Sequence, residues 1–323
     1  MTAILLPSTP NGALGTSLTR VRQFTAAELG PFQASTASSS STTAALVDTT
    51  WPVSSQLAQD SLYLDQFLFR PNAAQSSDMS RVVKLYTPST GTLTPDQAWT
   101  NAPAAAESYE LHGRIDPLVL NAAINEALKE LMVVTELTMT PVAQAVRHDI
   151  TSVAPWLVNE RWVRQVGFLK NTDSRDYLDP YKFRVIRGEA EFISGHVYLA
   201  HPYIAFDPTV DTIYIKALMP AYYGCRLSST GSWGETQGLN AEANEAPVTV
   251  DRLAAATLVI LWRRYSQILE PGANSRLIND LQQAVNWKTE LTDRDLEIPE
   301  LTFQPMPIRW GPLQHGGLGI WEI

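Results

Sequence analysis

RVVKLYTPSTGTLT (residues 81–94), YELHG (109–113) and DPLVLNAAINEALKEL (116–131) set a hairpin, a further strand and a helix almost end to end. In the first segment an apolar run meets Pro-Ser-Thr-Gly and then returns. Pro88 pre-sets φ early in the turn, and Gly91 can take the positive φ needed where the second strand begins. In the third segment Asp116 is placed as an N-cap, and Pro117 fits the first helical position, where no N–H is required. At roughly 100° per residue, Leu120, Ala123, Ile124, Ala127, Leu128 and Leu131 fall on one arc. Asn121, Asn125, Glu126, Lys129 and Glu130 fall on the other. The helix is expected over residues 117–134, fed directly by a small β-module.

Composition narrows the classes. The chain has 323 residues, enough for two or more cores. Its 45% hydrophobic content is that of a globular protein, but only 18% of residues are charged, below the usual quarter. A thin charge coat suits a subunit that buries surface against partners. Net charge is −9 and the densest basic pair is Arg263–Arg264, so non-specific coating of DNA is not expected. One cysteine, Cys225, excludes an intramolecular disulfide and a cysteine-based metal cage. No stretch reaches the ~20 apolar residues of a membrane span, and residues 1–10 lack the basic start of a signal peptide.

Outward from the β-module, residues 1–43 read as an N-terminal arm with a short helix near 18–29 and a Ser/Thr spacer at 35–43. Residues 44–113 form a small β-domain, with strands expected at 45–48, 62–69, 81–87, 91–94 and 108–111. Residues 114–223 hold the helix and an antiparallel sheet, because Phe183 and Val185, then Ile213, Ile215 and Ala217, alternate with polar positions. Residues 138–155 read as irregular, 162–169 as a strand, and Ser194-Gly195 as a hairpin turn. Residues 224–248 form a long polar loop with four glycines. A helical pair follows at 249–290: an almost wholly apolar helix to residue 269, then one at 275–288. Residues 291–323 are an extended, proline-rich arm. The fold class is therefore α+β, with a β-module, a central antiparallel sheet, amphipathic helices forming a bundle, and two extended arms.

No catalytic motif emerges. His196 and His201 sit five apart in a strand region, an odd spacing that points side chains to opposite faces. His148 and Asp149 are adjacent, which is not the geometry of a base and its orienting carboxylate. His112 reads as structural, and His315 lies in the tail. The Gly231-Ser232-Trp233-Gly234 run fails the nucleophile-elbow spacing. Cys225 reads as a small packed residue, and Asp207, Asp211, Asp293 and Asp295 as caps. No metal or cofactor is expected. The residues singled out as partner contacts are Trp233 in the loop, Ile260 and Leu261 in the apolar helix, and Pro305, Pro307, Trp310 and Trp321 in the C-terminal arm.

The β-module ending in this hairpin, then Tyr-Glu-Leu, then Pro117 with Ala123-Ile124-Asn125 and Ala127-Leu128, resembles neck proteins of tailed bacteriophages, the head–tail connectors or adaptors below the portal. The resemblance covers residues 44–223 and the helical region after 248. It implies a non-enzymatic virion protein, made in the host cytoplasm, that forms a ring of about twelve copies. Its partners would be the portal and the tail or neck proteins, with DNA passing through the channel without specific binding and no membrane involved. A receptor- or glycan-binding tail protein and an unrecognised hydrolase are the alternatives. Surface aromatics in a groove would mark the first, and a carboxylate cluster or bound metal the second.

Overall fold

The computed structural model describes residues 15–38, 41–50, 63–113, 115–157, 163–169, 175–178, 182–187 and 196–265. The expected helix at 275–288, the C-terminal arm with Pro305, Pro307, Trp310 and Trp321, and the Ser194-Gly195 turn lie outside the described residues. In chain order the elements begin with β1 (Thr16–Ser17), α1 (Leu18–Leu29), β2 (Phe32–Thr36), β3 (Leu46–Val47), β4 (Phe67–Phe69), β5 (Ser80–Thr87), β6 (Thr92–Pro95), β7 (Ser108–His112) and α2 (Pro117–Glu130). They continue with β8 (Met132–Met139), β9 (Arg147–Asp149), β10 (Val163–Leu169), β11 (Arg175–Leu178), β12 (Arg184–Arg187), β13 (Val197–Ala200), β14 (Thr212–Pro220), β15 (Glu245–Ala246) and α3 (Val250–Tyr265). The chain is mixed α and β, and every pairing between named strands is antiparallel. No described helix is long and apolar enough to cross a membrane. The chain divides into two compact units, one of Gly15–Glu130 with Leu239–Leu291, the other built on Leu131–Gly238.

In the first unit a six-stranded sheet runs β2-β7-β4-β5-β6-β3. The β5–β6 hairpin turns at Pro88–Thr90, and Gly91 takes φ 61° and ψ 35°. The Gly91 carbonyl accepts the Asp48 N–H at 2.9 Å, and a Cβ on Gly91 would lie 2.1 Å from the Asp48 carbonyl oxygen. Both the left-handed φ and this approach of two backbones require glycine. Gly91→Ala is expected to cost about 2 kcal/mol or more. A drop in the urea midpoint at unchanged slope would show it, and a variant as stable as the parent would contradict the close approach.

The sheet includes residues read from sequence as a spacer. β2 pairs with β7 from Phe32↔His112 to Thr36↔Ser108, and Ala37 is buried. Ser and Thr cannot build a core alone, but a strand is held by backbone bonds that ignore side-chain polarity. The hydroxyls find partners as well. Ser35 donates to Asp48, whose same oxygen accepts the Tyr109 hydroxyl at 2.8 Å. The preceding helix is likewise part of the unit. α1 is capped by Ser17, whose Oγ accepts the Arg20 N–H, and its buried residues Leu18, Val21, Thr25, Ala26 and Leu29 follow helical spacing. The described part of the expected arm, residues 15–38, is thus integral to a domain.

α2 buries Leu120, Ala123, Ile124, Ala127 and Leu128, the arc read from sequence. It ends at Glu130 rather than Val134, and residues 132–139 form β8 instead. Val133, Val134 and Thr135 are β-branched and favour a strand. α3 packs on both α1 and α2. Residues 239–246, expected in a long polar loop, are tied down: Asn125 exchanges two hydrogen bonds with the Leu239 backbone, at 2.7 and 3.0 Å.

One buried charge organises this unit. Arg22 is fully buried on α1, and all five of its N–H groups are bonded. Glu110 takes two at 2.8 and 2.9 Å, Glu242 takes two at 2.8 Å, and Asn121 takes the fifth at 3.4 Å. Gln23 and His112 also bond to Glu110. Burial alone would raise the Glu110 carboxyl, but the Arg22 and His112 hydrogen bonds hold it down at about 2.

The second unit carries a four-stranded sheet, β11-β10-β14-β8, and a three-stranded sheet, β12-β13-β9. Along β14, Ile213, Ile215 and Ala217 are buried while Thr212, Tyr214 and Lys216 are half-buried, the alternation expected from sequence. The core joins them to Leu137 of β8, Val166 of β10 and Val197 and Leu199 of β13. The region read as irregular contains the end of β8 and all of β9, a strand too short for its periodicity to show.

Candidate functional site

The sequence-selected contact residues do not converge. Ile260 and Leu261 are 2% and 0% exposed within the single chain. The interface role expected for them is corrected to a core role: α3 is apolar around most of its circumference because its own chain buries it. Trp233 is half-buried, and the Arg226 guanidinium lies 4.2 Å from its ring centroid. That cation–π contact covers one face of the indole, leaving it a poor stacking platform for a sugar. Cys225 is buried, and desolvation pushes its thiol up to about 12, so it behaves as packing.

The described histidines are paired in ways the sequence did not show. β9 lies against β13 with Leu199↔His148 and Ala200↔Arg147 in register, and the His201 N–H continues the ladder to the Val146 carbonyl at 3.0 Å. Adjacent residues of a strand face opposite ways. Asp149 therefore points outward, where it meets His196 Nδ1 at 2.6 Å and caps Thr151. His148 points inward. Its Nδ1 lies 3.0 Å from His201 Nε2, with the ring centroids 5.0 Å apart and 22° between the planes. Phe206 packs edge-on against both rings, at 5.9 and 5.5 Å. Burial, then the neighbouring His201, hold His148 down at about 4, and burial lowers His201 as well. Fifty-three residues separate the two histidines, so only the strand register could reveal the pair.

This pair underlies two loops. Residues 140–146 fold back so that the Val142 N–H donates to His148 Nε2 at 2.9 Å. Residues 201–211 are pinned by Phe206 inside and closed by Asp207 and Asp211. The Asp207 N–H bonds to the Asp211 carboxylate, and the Asp211 N–H to the Asp207 carbonyl, both at 2.8 Å. The two aspartates are caps of their own loop, as read from sequence. On these fixed loops Val142 is 60% exposed, Tyr203 63% and Val210 43%. Residues 140–146 carry no charge. Large apolar side chains on a hydrogen-bonded, weakly charged support make a surface able to dock a partner. Among the described residues, no three metal-ligating side chains converge.

No family model matches the chain, and comparison with curated proteins and with solved structures yields no match either.

Proposed function

We propose that the chain is a non-enzymatic structural subunit of a tailed-phage virion, a neck connector that forms a ring of about twelve copies between portal and tail. The observation that carries the reading is the loop pair at 140–146 and 201–211, which presents Val142, Tyr203 and Val210 on a fixed, weakly charged support. The sequence resemblance supplies the virion context. Three ionisable groups of the first unit point the same way. Arg22, Glu110 and Asp48 are consumed by partners within the chain that make the unit rigid, which suits a load-bearing scaffold. A helical bundle completed by residues 275–288 and an extended C-terminal arm belong to this reading, with Trp310 and Trp321 as anchors toward portal or tail. The receptor- or glycan-binding alternative draws little from Trp233, one face of whose ring is covered by Arg226.

The test uses the full chain. Its mass in solution and electron micrographs of the assembled sample should show closed rings. Val142→Asp and Tyr203→Asp should melt like the parent, because exposed positions change stability by only about 0.5 kcal/mol. They should lose ring formation or incorporation into particles at least tenfold. A chain that stays monomeric and never enters particles would sink the neck reading. Rings unaffected by both substitutions would remove these loops from the contact surface.

A further inference from the structure

Hydrogen-bond direction fixes both tautomers of the histidine pair. A backbone N–H can only donate, so Val142 requires a bare lone pair on His148 Nε2. The His148 proton therefore sits on Nδ1 and donates to His201 Nε2. His201 must then carry its own proton on Nδ1, where it donates to the Pro202 carbonyl at 2.7 Å. Every ring nitrogen has one partner in one direction. We infer that this chain of bonds is an acid-operated latch: one added proton releases residues 140–146 from residues 201–211 and uncovers Phe206.

The vacant position on His148 is Nε2, where a proton would meet the Val142 N–H head-on. The vacant position on His201 is Nε2, where it would meet the His148 Nδ1–H. Moving the His148 proton to Nε2 only transfers the collision to Val142. No redistribution accepts a proton while keeping all three bonds. Water cannot relieve the charge in place, because His148 and His201 are 1% and 3% exposed.

Among the described residues, no charged group is placed to rescue it. Residues 140–146 have no titratable side chain. On β9, Arg147 and Asp149 are exposed on the other face. On β13, Val197, Leu199 and Ala200 are apolar. In residues 201–211, Asp207 bonds to Thr209 and Asp211 to the Asp207 N–H. Phe206 covers both rings and itself packs against Phe168.

The sign follows from His148, held at about 4 when folded against an ordinary 6.5. Between those values the open form binds the proton and the closed form does not. The latch is closed above about pH 6.5 and yields as pH falls toward about 4. At about pH 4.5 the opening equilibrium should be roughly sixtyfold larger than at neutral pH. The inference stands on this geometry and does not depend on the neck assignment.

Amide exchange of the full chain, corrected for the intrinsic pH dependence, tests it. Val142 and His201 should lose protection together by tens of fold near pH 4.5, while Ile215 of β14 stays protected. Nitrogen-15 spectra at neutral pH should show both imidazoles protonated on Nδ1. His148→Gln keeps an acceptor for Val142 and a donor for His201 but does not titrate, and it should cut the response to a few fold. An Nε2-protonated His148, unchanged Val142 protection at about pH 4.5, simultaneous loss at Ile215, or a folded His148→Gln with the full response would each overturn the latch. Should that variant not fold, the parent spectra and exchange decide alone.

Discussion

Arg22→Leu is expected to destabilise the unit of Gly15–Glu130 and Leu239–Leu291 by about 3–5 kcal/mol, enough to leave a marginal domain largely unfolded at physiological temperature. The cost is not the loss of an attraction alone. Removing the guanidinium strands the Glu110 carboxylate, almost fully buried and still accepting from Gln23 and His112, without its main counter-charge. It also uncovers the face of Phe69, over whose ring Arg22 lies at 4.7 Å. Pairing Arg22→Leu with Glu110→Met should recover much of the loss, because an apolar pair leaves no buried charge. Amide exchange at Tyr109 and Leu111, through a urea series, reads the unit directly. A single variant that costs under 1 kcal/mol would show that the network is not what holds the unit.

The same network has an acid limit. The folded Glu110 carboxyl sits at about 2, below its unfolded value of 4.5. A depressed carboxyl contributes stability above the unfolded value and loses it as pH falls toward the folded one. That window overlaps the histidine response only between about 4 and 4.5, so the two effects separate on either side of that overlap in a pH titration.

Leu261→Asp is expected to prevent folding of the same unit rather than merely to block assembly. A carboxylate at a position with no exposure has neither water nor a partner, a penalty at the far end of single-substitution effects, above about 4 kcal/mol. Ile260→Asp should behave alike. The measurement is the soluble folded fraction and the helical circular dichroism signal of the purified chain. A folded, monomeric Leu261→Asp would restore α3 to the candidate interface and contradict its place in the core.

These expectations mark where sequence reading succeeds here. The arc of α2, the alternation along β14 and the Pro88–Gly91 turn were readable because each depends on residues within a few positions of one another. Periods of 3.6 and 2 are local properties of the backbone. The boundary between α2 and β8 was misread because Leu131 continues the helical arc while the β-branched residues after it favour extension. Ser35 and Thr36 at the start of the Ser/Thr segment were misread because composition reports what side chains can bury, whereas β2 is held by its backbone bonds to β7.

Partner choice was not readable. An arginine on the inner face of α1 signals a buried charge, but its carboxylates lie 88 and 220 residues away. His148 and His201 carry no motif, and their tautomers follow from a bond to Val142 that exists only after the loop folds back. An apolar helix advertises that it will be covered without saying by what, and for α3 the answer came from α1 and α2 of its own chain. Local pattern depends on neighbours along the chain and is written in order. Contact between distant segments depends on which surfaces meet when water is expelled, and that is settled only when the whole unit packs.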